Sequence, residues 1–257
     1  MRKRVLSFFT LLLLMMALSP QVLAAEGDIV IFYTNDVHSY IDNEIDSSGA
    51  PGLTYSVVAA LKESAENAIL VDTGDHIQGT AYGSMDSGAT VIRLMNAAGY
   101  DAATLGNHEF DYGIDGCMAA VGIAEYPYIS CNFFHETDGT VCDTVLDRYI
   151  ILEAGGRKVA FVGITTPETF ISSTPAYFQD GAGNYIYGIA GGADGQELYA
   201  AVQSAIDEAK AEGADHIIAL GHLGVDPSSS PWTSREVIAN TEGLDAFIDG
   251  HSHSVIP

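Results

Sequence analysis

Apolar residues in this chain come in short continuous runs, separated by stretches where apolar and polar positions recur with helical spacing. Runs at 28–34, 68–72, 102–105, 126–132, 149–152, 158–164, 216–220 and 246–248 read as strands, several of them apolar enough to be buried on both faces. The helical period predicts helices at 53–64, 89–98, 114–123, 196–211 and 234–239. In the first of these, Leu53, Val57, Ala60 and Leu61 share one face, and Gly99 ends the second as a C-cap residue. Glu153-Ala154-Gly155-Gly156-Arg157 joins two strand runs and predicts a β-hairpin with a glycine turn. The polar, Gly-rich stretch 175–195 reads as a surface loop that could shape a site. Strands alternating with helices place the chain in the α/β class.

Five of the strand runs lead into short blocks of metal-ligand residues. They are Asp36-Val37-His38, Gly74-Asp75-His76, Gly106-Asn107-His108-Glu109, Gly221-His222 and Gly250-His251-Ser252-His253. Open α/β folds build their sites at the carboxyl ends of strands, so the repeated form argues for one centre. Asp36 and His38, two apart, would project to one side of an extended segment and could chelate one divalent ion; His251 and His253 repeat that spacing. Asp75 follows a glycine that lets the backbone turn, and its carboxylate is the one best placed to bridge two ions. Asn107 offers a neutral oxygen and His222 a lone imidazole.

Nitrogen and oxygen ligands without thiolate suit Zn, Mn or Fe. Two such ions about 3.5–4 Å apart would generate a hydroxide at neutral pH and clamp an in-line displacement. Three residues separate His108 from Asp111, close enough for the carboxylate to fix the imidazole tautomer, and His108 could then stabilise a leaving oxygen. His76, His135 and His216 are expected to be surface or hydrogen-bonded histidines. Glu109 is expected to support the ligands or start a helix rather than bind metal.

The start of the chain is built as a secretory signal. Arg2, Lys3 and Arg4 precede an apolar region, and small residues allow cleavage after Ala24. A signal peptide over 1–24 leaves a domain over 25–257, exported, secreted or periplasmic, with no stable membrane association. Removing those residues takes three basic groups and no acidic ones, which moves the formal charge from −24 to −27. Such a surface repels nucleic acid, and an anionic substrate would need a local concentration of cations. The three cysteines, Cys117, Cys131 and Cys142, leave two readings open: a small loop closed by Cys131 and Cys142, or free thiols.

Tyr33-Thr34-Asn35-Asp36-Val37-His38, Val71-Asp72-Thr73-Gly74-Asp75, Leu105-Gly106-Asn107-His108-Glu109-Phe110-Asp111, Gly221-His222-Leu223-Gly224 and Asp249-Gly250-His251-Ser252-His253 resemble the 5′-nucleotidase family. That is the branch of the calcineurin-like metallophosphoesterase superfamily with periplasmic nucleotidases and 2′,3′-cyclic-nucleotide phosphodiesterases, and the likeness covers 28–254. It implies a four-layer α/β/β/α metallophosphoesterase sandwich, a small-molecule nucleotide substrate and two divalent metal ions. Asp36, His38 and His253 would hold one ion and Asn107, His222 and His251 the other, with Asp75 between them. His108 would be catalytic and Asp111 its orienting partner.

Family members continue into further strands and a second, base-stacking domain. This chain stops four residues after His253, so a catalytic domain incomplete at its C-terminus, with an exposed sheet edge and no second domain, is the expectation. A thiosulfohydrolase of the sulfur-oxidation branch and a non-catalytic exported binding or adhesion protein are the alternative functions.

Overall fold

The computed structural model describes residues 27–41 and 54–255; the signal read at 1–24 and Leu53 lie outside them. The elements begin with β1 (Val30–Thr34), α1 (Tyr55–Glu63), β2 (Ala68–Asp72), α2 (Ala81–Ser84), α3 (Ala89–Ala98), β3 (Ala102–Thr104), α4 (Gly113–Ile123) and β4 (Tyr128–Ile129). After them come β5 (Phe133–Thr137), β6 (Thr140–Thr144), β7 (Tyr149–Ala154), β8 (Arg157–Ile164), α5 (Thr169–Ser172) and β9 (Tyr187–Ile189). The last are α6 (Gln196–Ala211), β10 (His216–Gly221), α7 (Ser234–Asn240) and β11 (Ala246–Ile248).

Two sheets carry the fold. The first is wholly parallel in the order β1-β2-β3-β4. The second has the order β11-β10-β8-β7, with β7 turned back on β8 as the predicted hairpin and the other strands parallel. The inner strands β2, β3, β8 and β10 are buried on both faces for most of their length, which is why they are apolar without alternation. Ile69 and Val71 of β2 face Val159 and Phe161 of β8 and Ile218 and Leu220 of β10 between the sheets. The intervening Leu70 points outward to Val58, Ile92 and Met95 of the helices on that side. On the far side Ala160, Val162 and Ile217 meet Leu198, Val202 and Ile206 of α6 and Val237 of α7. The period-2 side chains of each strand thus feed two cores at once, and the result is the four-layer α/β/β/α sandwich.

Several boundaries and faces differ from the expectation. Helix α1 buries Tyr55 and Val58, while Val57 and Leu61 stay exposed at 54% and 43%. Apolar residues occur on two of its faces, and the side carrying Tyr55 is seated because that ring meets Tyr100 edge-on at 6.1 Å. The run at 126–132 is a strand only at Tyr128–Ile129, because the following residues turn to the second sheet. There the Cys131 amide donates to the Gly163 carbonyl and the Asn132 side-chain amide to the Thr165 carbonyl.

The stretch 175–195 is more than a loop: Phe178 is wholly buried against Phe110 and Phe170, and β9 pairs with β5 in a small antiparallel sheet, β6-β5-β9. The β5–β9 pairing spans about fifty residues of sequence, too far for a local pattern to reveal. The possible Cys131–Cys142 bridge does not form. All three thiols are free, and burial pushes that of Cys131 up to about 12. No helix among the described residues is long and apolar enough to cross a membrane.

The sheets approach closely where β8 passes β4. A Cβ on Gly163 would stand 2.2 Å from the Ile129 carbonyl oxygen, so only glycine allows the contact. Gly163→Ala is expected to force the sheets apart and cost about 1–3 kcal/mol, as overpacking does. Chemical denaturation of the two chains measures it; equal midpoints would contradict this account of the contact.

Candidate metal centre

All five blocks emerge at one edge of the sandwich, because β1, β2, β3, β10 and β11 end there. Backbone bonds lock them to one another. The Asp36 amide donates to the Gly74 carbonyl at 3.2 Å and the His38 amide to the Asp75 carbonyl at 2.9 Å. The His108 amide donates to Asp75 Oδ1 and the His251 amide to Asp36 Oδ1, both at 2.9 Å.

Such close approach excludes side chains at the crossing points. A Cβ on Gly74 would meet the Gly106 nitrogen at 2.3 Å, and one on Gly106 would meet Asp75 Oδ1 at 2.2 Å. The blocks also hold unusual backbone angles. Asp36, His38, Asp75, His251 and His253 all have positive φ, between 48° and 80°. The segments are therefore left-handed turns and not the extended chain that the Asp-x-His spacing suggests. Strain of this kind persists where surrounding bonds over-determine it, and here the interlocked loops do so.

The geometry sorts the side chains into two outer groups joined by a third. Ligand atoms of Asp36, His38 and His253, and those of Asp75, His222 and His251, lie within 4.8 Å of each other; those of His38, Asp75 and His108 do the same between them. His251 and His253 therefore do not chelate together, as their spacing alone suggests, but divide between the groups. Asp75 Oδ2 stands 3.0 Å from His222 Nε2 and 3.9 Å from His38 Nε2, between the two groups. The Nε2 atoms of His38 and His253 meet at 3.1 Å.

Among the described residues, seven buried side-chain atoms lack hydrogen-bond partners; four are in these loops, Asn107 Oδ1, His222 Nε2, Thr73 Oγ1 and Asp249 Oδ2. His222 Nε2 contacts the Asp75 carboxylate as an ion pair, without the alignment of a hydrogen bond. Unmet lone pairs on an amide oxygen and an imidazole nitrogen, beside a shared carboxylate, fit a divalent cation. His222 Nδ1 is fixed on the Thr73 carbonyl oxygen at 2.7 Å, which leaves Nε2 directed at the group.

Electrostatics reinforce the pairing. Burial works against charge on His222, but Asp75 and then Asp36 overcome it and push the imidazole up to about 10. Burial likewise opposes ionisation of Asp75, yet His222 and the bonds from His108 hold its carboxyl well below the usual range. His108 Nδ1 is 2.7 Å from Asp111 Oδ2, and that bond raises the imidazole pKa against partial burial. The His108 ring lies edge-on to that of His38 at 5.2 Å, facing the centre.

The residues set aside as non-ligands behave as such. His135 and His216 are at the surface. His76 is buried with both ring nitrogens engaged, Nδ1 at 2.7 Å from Asp72 and Nε2 at 2.6 Å from the Tyr128 hydroxyl. Burial opposes its charge, but Glu109 and Asp72 raise it to about 9. Glu109 supports the loops: its carboxylate accepts the amides of Asp75 and Gly106 at 2.7 Å and of His76 at 3.0 Å.

Two further carboxylates escaped the sequence reading. Asp249 Oδ1 accepts the Leu223, Gly224 and Gly250 amides, joining the fourth block to the fifth. Glu168, beyond the end of β8, reaches His251. The first lies within a quoted motif, but nothing in its spacing marks a role; the second has no ligand-type residue beside it.

Comparison with known proteins places this geometry. The family model for calcineurin-like phosphoesterase matches residues 29–255. The 5′-nucleotidase of Mus musculus is 29% identical over 261 residues, covering 96% of this chain and 42% of its own length. This chain thus spans about two-fifths of that relative. The crystal structure of the calcineurin-like phosphoesterase YfkN from Bacillus subtilis superposes with a TM-score of 0.70 at 28% identity, over 89% of this chain and 73% of that one. The sulfate thiohydrolase SoxB of Thermus thermophilus shares the fold, with a TM-score of 0.74 at 18% identity, over 91% of this chain and 50% of its own. The chain belongs to the calcineurin-like phosphoesterase family, and its domain is of the metal-dependent phosphoester hydrolase type.

Proposed function

We propose that the protein is an exported phosphoester hydrolase that takes nucleotides, of the 5′-nucleotidase or cyclic-nucleotide phosphodiesterase kind. The observation that carries this is the convergence of ligand atoms from Asp36, His38, Asp75, His108, His222, His251 and His253 in overlapping groups within 4.8 Å, with His108 also bonded to Asp111. The nucleotide class is supported by the 5′-nucleotidase relatives, and export by the signal-like residues 1–24.

Asp36, His38 and His253 would hold one divalent ion, Zn or Mn, and Asn107, His222 and His251 a second, with Asp75 shared. Bound there, two cations supply a nucleophile from water and neutralise charge on the phosphoryl oxygens. The chain's own residues do the rest. Asp111 holds His108 in one orientation and favours its protonated form, so the imidazole offers a proton or a donor to the departing oxygen. The Asp75 carboxylate is fixed for its shared role by the His108 amide on Oδ1.

Asp75→Asn is expected to abolish cation binding and turnover together. Phosphate release from 5′-AMP and 2′,3′-cyclic AMP with Mn or Zn is the assay, and a variant that keeps its rate would remove Asp75 from the bridging role. His108→Ala is expected to lower kcat by roughly 10²–10⁴-fold with cations still bound. Loss of a cation in that variant would make His108 a ligand instead.

Because Asp75 holds His222 protonated up to about pH 10, a cation seated there must displace about one proton at neutral pH. Apparent affinity should therefore rise with pH through the neutral range and weaken under acid. Calorimetry in buffers of different ionisation enthalpy reads the released proton, and no buffer dependence would contradict the assignment of His222.

A further inference from the structure

The carboxyl end of β8 stands in the same row as the strand ends that carry the five blocks, but its sequence, Thr165-Thr166-Pro167-Glu168, contains no histidine or asparagine. Its contribution is Glu168, whose Oε2 lies 2.6 Å from His251 Nε2 and accepts the Ser229 hydroxyl at 3.0 Å. The Glu168 backbone opens α5, but its side chain makes no capping bond there. The carboxylate is thus committed to His251 and to the Ser229 turn, not to local structure.

An imidazole that donates Nε2–H to a carboxylate has only Nδ1 left as a lone pair, and its ring cannot turn over without losing that bond. His222 is pinned in the opposite sense, with Nδ1 on the Thr73 carbonyl and Nε2 toward the Asp75 carboxylate. The two imidazoles of the Asp75–His222–His251 group each have one nitrogen anchored, one by a neutral oxygen and one by a charged one.

We propose that Glu168 is a positioning residue for the cation held by this group. It fixes His251 so that Nδ1 is the nitrogen offered, and its negative charge makes that nitrogen a better donor. Ser229 completes the chain by holding Glu168 against rotation. This rests on the dimetal reading above.

The test uses the full chain and Mn²⁺ as the probe, titrated by calorimetry, with the thermal midpoint of each chain measured in chelator. The wild-type protein, Glu168→Gln, Glu168→Ala, His251→Ala and the double variant Glu168→Ala/His251→Ala are compared. Glu168→Ala is expected to weaken one of two ions by about 10–100-fold and leave the other unchanged, at an unaltered midpoint in chelator. Glu168→Gln keeps an acceptor oxygen without the charge, and its loss should fall between wild type and alanine. In the His251→Ala background, removing Glu168 should shift affinity no further.

Wild-type affinity for both ions in folded Glu168→Gln and Glu168→Ala would overturn the proposal. So would an equal loss with His251 present or absent, since Glu168 would then act elsewhere. Wild-type protein that binds fewer than two ions would instead overturn the dimetal reading, and the role of Glu168 with it.

Discussion

One buried carboxylate ties the loops of this site together. Glu109 accepts backbone amides from the turn after β2 and the turn after β3, and so fixes Asp75 against the segment carrying Asn107 and His108. A carboxylate buried at 1% exposure is costly unless its lone pairs are met, and here amide donors meet them. The glycines at 74 and 106 allow that meeting, because a side chain at either would occupy the space of the other loop. Loops closed so tightly take left-handed turns at the very residues whose side chains converge. Apart from the Glu109 carboxylate, the two turns are joined by the His108 amide, which donates to Asp75 Oδ1.

A second layer of supports surrounds the first. Asp249 gathers the amides of the fourth and fifth blocks, Thr73 fixes His222, and Asp111 fixes His108. Each imidazole that faces the centre thus has its outer nitrogen assigned, except where His38 and His253 meet each other. This arrangement also answers the puzzle of charge. The chain carries a formal −24, yet a phosphoester is an anion. Within the site Asp75 and Asp36 favour the charged form of His222, and divalent cations held there would invert the local field.

The sandwich beneath is generic by comparison. Its strands are largely apolar and its helices cover them, and the same layers serve proteins as different in name as a calcineurin-like phosphoesterase and a sulfate thiohydrolase. What distinguishes the chemistry is the set of side chains at one edge, so the fold supports the site without choosing the substrate.

The strands and the longer helices were legible because burial on both faces leaves an unbroken apolar run, and amphipathic α6 leaves a clear period. Eight of the nine side chains expected in the site stand in short blocks after such runs, and Asp111 two residues past one; the structure brings the blocks to one edge. Other features depended on contacts between distant residues. Helix α1 had two apolar faces, and only the Tyr55–Tyr100 contact chose between them. The β5–β9 pairing joins segments about fifty residues apart. The Asp-x-His and His-x-His spacings predicted extended chelating pairs, whereas interlocked loops imposed left-handed turns and divided His251 from His253. Glu168 was invisible because nothing local marks a carboxylate whose partner lies 83 residues away. The sequence by itself determined which chemistry was available, since residue type and strand-end position are local properties. Only the tertiary structure decided which atoms share a centre, because that follows from two sheets ending at one edge and from the bonds that hold their loops together.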